Sequence, residues 1–231
     1  MAESVVILLD ADNTLLDNDC VIADLRRHLE KEVGKARSGR YWTIFEKLRV
    51  TLGYTDYLGA LQYYRVEYPR DAHLLTVSHF LIDYPFSARL YPEALDVIAH
   101  CKQLTTTVIL TDGDVVFQPR KLERSGLLDA VEQHAFVYIH KEQELADVEQ
   151  RYPADHYVMV DDKLRILTAI KQVWDKRVTT VFPRQGSYAH DPQVLATFPP
   201  ADMTIAGIGE LLQCDLATLV RAAQKGSGIR G

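Results

Sequence analysis

The chain has 231 residues, 47% of them apolar and 25% charged, and a formal net charge of −6. That length and balance fit a globular protein with a sizeable core, either one large domain or one domain carrying an insertion, and the acidic excess argues against nucleic acid or an anionic membrane as partner. No apolar run approaches the roughly 20 residues of a membrane span, Met-Ala-Glu-Ser leads straight into a strand without a signal peptide, and three scattered cysteines (Cys20, Cys101, Cys214) form no disulfide framework. The expected location is therefore cytoplasmic.

In chain order, Val5 to Leu9 is an apolar run of strand type, suited to a sheet covered on both faces. It ends in Asp10-Ala11-Asp12-Asn13-Thr14. A strand period of two would aim Asp10 and Asp12 the same way. The plain alternative is an Asx-turn in which Asp12 and Asn13 cap loop backbone.

Residues 18–88 break the strand pattern. Ala23 to Val33 and Tyr41 to Leu52 have the mixed apolar and charged spacing of amphipathic helices. The region is dense in tyrosine and is expected to be a helical insertion, with 1–17 and 89–231 forming the core.

Regular alternation follows. Tyr91 to Lys102 is helical, and Thr107 to Leu110 is a strand leading into Thr111-Asp112-Gly113-Asp114. Pro119 to Gly126 is a helix stopped by glycine. Ala135 to Ile139 is a strand closed by His140-Lys141, and Glu142 to Arg151 is a charged helix. Tyr157 to Val160 is a strand ending in Asp161-Asp162, with a helix from Arg165 to Trp174 behind it. Val178 to Phe182 and Met203 to Ile205 are strands, Gly209 to Leu212 is a helix, and Lys225 to Gly231 is a frayed tail. The alternation predicts an α/β fold: a Rossmann-like three-layer sandwich with a mainly parallel sheet, plus the inserted helical cap.

Parallel strands joined by right-handed crossovers share one C-terminal edge. Asp10 and Asp12, Thr111, Lys141, and Asp161 with Asp162 would then converge on one crevice. Carboxylates packed so closely repel unless a cation joins them, and hard oxygen ligands favour Mg²⁺. One carboxylate can attack phosphorus, and a second can protonate the leaving oxygen and later take a proton from water. Thr111 and a following backbone N–H would hold phosphoryl oxygens, and Lys141 would neutralise charge.

The set Asp10-Ala-Asp12-Asn-Thr14, Leu110-Thr111-Asp112-Gly113, Lys141 and Val160-Asp161-Asp162 resembles the four motifs of the haloacid dehalogenase-like hydrolase superfamily. Arg89 to Leu95 and Lys121 to Leu127 resemble its connectors, and the insertion falls where its type 1 cap lies. The resemblance covers residues 4–212. It implies Asp10 as nucleophile and Mg²⁺ ligand, and Asp12 as general acid/base with its carbonyl on the metal. It also implies Thr111, Asp112, Gly113 and Lys141 around the phosphoryl group, and Asp162 as the remaining metal carboxylate. Asp161 would assist the metal directly or through water.

Three departures leave choices open. Glu142 follows Lys141 where many members have proline, so Lys121 and Lys163 are rival cations. No acid follows Asp162 within five positions, so the Asp-Asp form of the motif must suffice. Asp114 is a loop cap or a ligand. Members that are true dehalogenases lack an acid at the position of Asp12, because halide leaves without a proton. The pair Asp10/Asp12 therefore points to phosphoester chemistry on a small phosphorylated metabolite, by a monomer or homodimer. A phosphotransferase or mutase, or a silent binding module, is the alternative. Eight histidines show no zinc spacing.

Overall fold

The computed structural model describes residues 4–214, so the tail at Lys225–Gly231 lies outside the described residues. β1 (Val5–Leu9) is buried along its whole length. It lies between two parallel neighbours, with Leu8 opposite Val108 of β2 (Thr106–Asp112) on one side and opposite Met159 of β4 (His156–Val160) on the other. With β3 (Ala135–Tyr138), β5 (Val178–Pro183) and β6 (Met203–Ile205) these strands form a six-stranded sheet ordered β3-β2-β1-β4-β5-β6, parallel at every pairing. The order reverses between β1 and β4, the place where open α/β sheets leave a crevice beyond their strand ends.

Alternate residues of β1 serve opposite faces. Val5, Ile7 and Leu9 join one core, and Val6 and Leu8 join the other. Three layers result, and the expected α/β architecture is observed.

The helical insertion begins with α1 (Asn18–Leu52), followed by α2 (Tyr57–Glu67) and α3 (Leu74–Asp83). The two helices expected at 23–33 and 41–52 are the two parts of α1, separated by a kink at Gly34, where the backbone is not helical (φ 79°, ψ 162°); the second part starts at the kink, earlier than expected. Asn13 Oδ1 accepts the backbone N–H groups of Asn18 (3.0 Å) and Asp19 (3.2 Å), satisfying the first free donors of α1. The insertion is tied to the sheet by aromatic packing, with Tyr57 5.2 Å from Phe117 between ring centroids. It is also tied by Arg89, which donates to Asp24 at 2.5 Å and to the Tyr84 hydroxyl at 2.7 Å.

The remaining helices are α4 (Ala94–Leu104), α5 (Phe117–Ser125), α6 (Leu127–Ala130), α7 (Leu145–Arg151), α8 (Leu164–Trp174) and α9 (Pro192–Thr197). α5 starts because Asp114 Oδ1 accepts from Val116 N (2.9 Å) and Phe117 N (2.7 Å), and it stops at Gly126, left-handed at φ 82°. Asp114 is thus a loop cap in this fold. α9 was not expected from the sequence, although Asp191 caps it and Pro192 occupies its first position. The last expected helix is a 3₁₀ turn, Ile208–Leu212. Among the described residues, no helix is long and apolar enough to cross a membrane.

Candidate active site

The ends of β1, β2 and β4 and the loop after β3 meet over the sheet. Asp10 follows β1 directly and is 2% exposed. Its Oδ1 lies 2.5 Å from the Lys141 ammonium, and its Oδ2 accepts the Thr14 hydroxyl at 3.1 Å. The same Thr14 oxygen accepts the backbone N–H of Asp162 at 3.1 Å, so one threonine joins β1's turn to β4's end.

Lys141 is fully buried, at the start of a 3₁₀ turn after β3. A buried ammonium needs partners on every side. It has Asp10, Asp161 Oδ2 at 2.6 Å and the Leu110 carbonyl at 3.1 Å. Burial alone would lower its pKa, but Asp10, Asp161 and Asp112 hold it well above the usual lysine value. Its backbone N–H donates to Asp112 Oδ1 at 2.8 Å, anchoring the turn that delivers it. Of the three rival lysines, Lys141 is the one on Asp10. Lys163, for which burial also opposes the charge, is held up by Asp162, Asp10 and Asp161, and it lines the crevice beside the Tyr188 ring.

Asp10, Asp161 and Asp162 bring ligand oxygens within 4.8 Å of one another. Burial pushes the Asp161 carboxyl up to about 6, against the pull of Lys141, and raises Asp162 well above the carboxylate range. Asp161 Oδ1 accepts the Lys163 N–H at 2.7 Å at the entrance to α8. Both carboxylate oxygens of Asp162 are buried without a hydrogen-bond partner among the described residues. A buried, unpartnered carboxylate is costly, and two more carboxylates beside it make an all-oxygen donor set suited to a hard divalent cation. The residues present therefore fit Mg²⁺.

Asp12 behaves differently from the strand-based expectation. β1 ends at Leu9, and the N–H groups of Thr14, Leu15 and Leu16 turn back to the Ala11 carbonyl. Asp12 bridges to Leu16 in this turn, and its carboxylate pairs with Lys121 rather than with Asp10's lysine. The two aspartates line one pocket while being held by different cations.

Thr111 Oγ1 is buried and accepts from Gln118 Nε2 at 3.0 Å. The Gly113 N–H, expected near a phosphoryl group, is committed to the Tyr138 carbonyl at 2.9 Å. Asp112 supplies its side chain to the Lys141 turn, and burial raises its pKa against the pull of Lys141. At Gly113 a Cβ would lie 2.7 Å from Gln118 Cβ, so this close approach needs glycine.

A cavity of about 520 Å³ opens above these groups. Its floor carries Asp10, Asp12, Thr111 and Lys163, and its wall is formed partly by Arg49, Gly53, Tyr54 and Thr55 at the end of α1. Gly53 is left-handed at φ 81°, and a Cβ there would meet the His140 ring at 2.7 Å. The insertion thus touches the core across the cavity. Of the arginines in the insertion, Arg49 reaches the cavity, whereas Arg40 pairs with Glu67 at 2.5 Å.

Sequence reasoning passed over Gln118, Asn18 and Tyr188. Gln118 had a detectable signal, three residues before Lys121 on one face of a short helix.

A model of the haloacid dehalogenase-like hydrolase family matches residues 5–173. The chain is similar to the crystal structure of a candidate haloacid dehalogenase-like hydrolase from Burkholderia xenovorans LB400. The two are 59% identical, with a TM-score of 0.89 over 94% of this chain and 99% of that one. Two more distant structures share the fold. A candidate hydrolase of the family from Bacillus subtilis, solved bound to magnesium, is 17% identical over 92% of this chain and 98% of that one, with a TM-score of 0.59. An L-2-haloacid dehalogenase is 15% identical over 92% and 99%, with a TM-score of 0.61. No curated protein matches the chain in sequence.

Proposed function

Because the chain belongs to the haloacid dehalogenase-like hydrolases, we propose that it is a Mg²⁺-dependent phosphatase acting on a small phosphomonoester through an aspartyl-phosphate on Asp10. The observation that carries this reading is that Asp10, paired with the buried Lys141, stands on the floor of a cavity whose lining also includes Asp12. A halide leaves without a proton, but an alkoxide needs one, and Asp12 is the acid available to give it.

In the first step an Asp10 carboxylate oxygen attacks phosphorus. The phosphorus–ester oxygen bond breaks, and its electron pair goes to the leaving oxygen, which takes a proton from Asp12. In the second, Asp12 accepts a proton from water as the water oxygen attacks phosphorus. The phosphorus–Asp10 bond breaks, freeing the carboxylate and inorganic phosphate. Lys141 neutralises charge on Asp10 and on the group in transit, and Thr111 offers its hydroxyl to a phosphoryl oxygen. Asp10, Asp161 and Asp162 would hold Mg²⁺. When bound, the ion would offset their mutual repulsion and the charge on the phosphoryl oxygens.

Residues 18–88 act as a cap on the core, 1–17 and 89–231. The placement of Arg49 and Tyr54 on the cavity wall supports a role in selecting the leaving group. The three free cysteines suit a cytoplasmic protein.

The test is phosphate release over a panel of phosphomonoesters with Mg²⁺, wild type beside Asp10→Asn, with halide release from a 2-haloacid measured in parallel. Phosphate release by wild type and its loss in Asp10→Asn are expected. Halide release without phosphate release overturns the reading, and an Asp10→Asn enzyme as active as wild type removes the nucleophile assignment.

A further inference from the structure

Helix α5 carries two buried polar side chains three residues apart, Gln118 and Lys121, and both end in the site. Gln118 holds Thr111, as described above. Lys121 is 1% exposed, and its Nζ lies 2.8 Å from Asp12 Oδ1, 2.7 Å from Asp12 Oδ2 and 3.0 Å from Asn18 Oδ1. An ammonium has three protons to donate, and here three acceptors surround it.

Among the described residues, Lys121 is the cation paired with Asp12. Asp12 is 18% exposed in its side chain and lines the cavity, so Lys121 grips it from the protein side while its edge faces the substrate space. Asn18 opens α1, so the same ammonium also ties the general acid to the first turn of the insertion. Lys141 makes none of these contacts, being spent on Asp10, Asp161 and the Leu110 carbonyl.

We infer that Lys121 is the positioning residue for Asp12: it fixes the carboxylate's orientation on the cavity floor so that its proton transfers reach the leaving oxygen and the attacking water. The inference rests on the phosphatase reading. Lys121 touches no reacting atom, and its effect passes through Asp12. Its loss must therefore scale with how much the leaving group needs a proton. An alkyl ester expels a strongly basic alkoxide, whereas a nitrophenyl ester expels a stable phenolate that leaves almost unaided.

The experiment compares kcat for ethyl phosphate and p-nitrophenyl phosphate, with Mg²⁺, in wild type, Lys121→Met, Asp12→Asn and the double variant. Thermal unfolding of each variant checks that it is folded. Lys121→Met is expected to lose on the order of 10²-fold in kcat with ethyl phosphate, the low end of what general acid catalysis supplies, and much less with p-nitrophenyl phosphate. In the Asp12→Asn background the same change should cost nothing further, because the residue it serves is already disabled. The double variant also removes both members of the ion pair, so it remains informative if Lys121→Met alone does not fold.

Equal losses on both esters in Lys121→Met, or a further loss on adding it to Asp12→Asn, overturn the inference and leave Lys121 a structural ion pair. Failure of wild type to release phosphate from these esters or from any of the panel overturns the phosphatase reading, and the inference with it.

Discussion

Asp162 should make the metal-free protein less stable than a neutral side chain would, and Asp162→Asn measures by how much. Both of its oxygens are buried without a partner among the described residues, and burial outweighs the pull of Lys163 on its charge. An unsatisfied buried group costs about 1–3 kcal/mol. Asparagine has the same shape, carries no charge and places an amide donor beside Asp10 and Asp161, whose oxygens lie within 4.8 Å. For a chain of this size each kcal/mol moves Tm by about 2–4 °C, so the variant should melt about 2–12 °C above wild type in EDTA. Mg²⁺ narrows or inverts that gap. Wild type at a hundredfold excess over Kd should gain about 2.7 kcal/mol, or about 5–11 °C, whereas Asp162→Asn should gain little. Thermal unfolding by circular dichroism, in EDTA and across a MgCl₂ series, reads both effects. A variant that melts at or below wild type in EDTA, or that keeps the full Mg²⁺ shift, refutes the reasoning.

Lys141→Met strips the buried partner from Asp10 and Asp161 and should cost about 3–5 kcal/mol, roughly 6–20 °C in Tm, as well as phosphatase activity. A melting point within about 2 °C of wild type would count against the charge arrangement. Gly53→Ala forces a side chain into left-handed backbone against the His140 ring, so about 1–2 kcal/mol of stability should go, read by urea unfolding, together with a changed KM. His156, whose ring nitrogen bonds Thr179 at 2.9 Å, has its pKa lowered from the ordinary 6.5 by burial and then by Lys171. The folded state therefore binds fewer protons than the unfolded state below that value, and His156 should lose stability for the protein as pH falls through 6.5. Relative to wild type, His156→Gln should flatten that acid-side decline; profiles of equal slope in urea titrations from about pH 7.5 downward would rule it out.

The sheet and the convergence of strand ends were legible in the sequence because each parallel strand is a short apolar run with a polar residue at its end. Asp10, Thr111, Lys141 and Asp161-Asp162 needed nothing more than that register. Asp12 lines the same pocket as Asp10, but not by strand alternation: a period of two holds only while the strand lasts, and β1 ends at Leu9. Gln118 and Lys121 carried only the signal of a shared helix face, three residues apart. They lie on a helix whose facing side depends on the crossing of α5 over the sheet, and spacing along the chain does not encode that. The break in α1 was legible from Gly34, whose left-handed φ of 79° ends one helical segment and lets the next begin. The resemblance implies Gly113 beside the phosphoryl group, but the pairing of Asp112 with Tyr138 carries the ladder one residue further and occupies its N–H.

The pairing of β1 bears on how the molecule comes to exist. Its hydrogen-bonded neighbours begin at Thr106 and His156, so the first strand made is completed by segments synthesised about one hundred and one hundred and fifty residues later. Such distant contacts slow folding, while the intervening helices can form from local ones. The order of synthesis suits the charges. Lys141 leaves the ribosome before Asp161 and Asp162, so the cation that quiets Asp10 is available before the last two acids arrive to repel it.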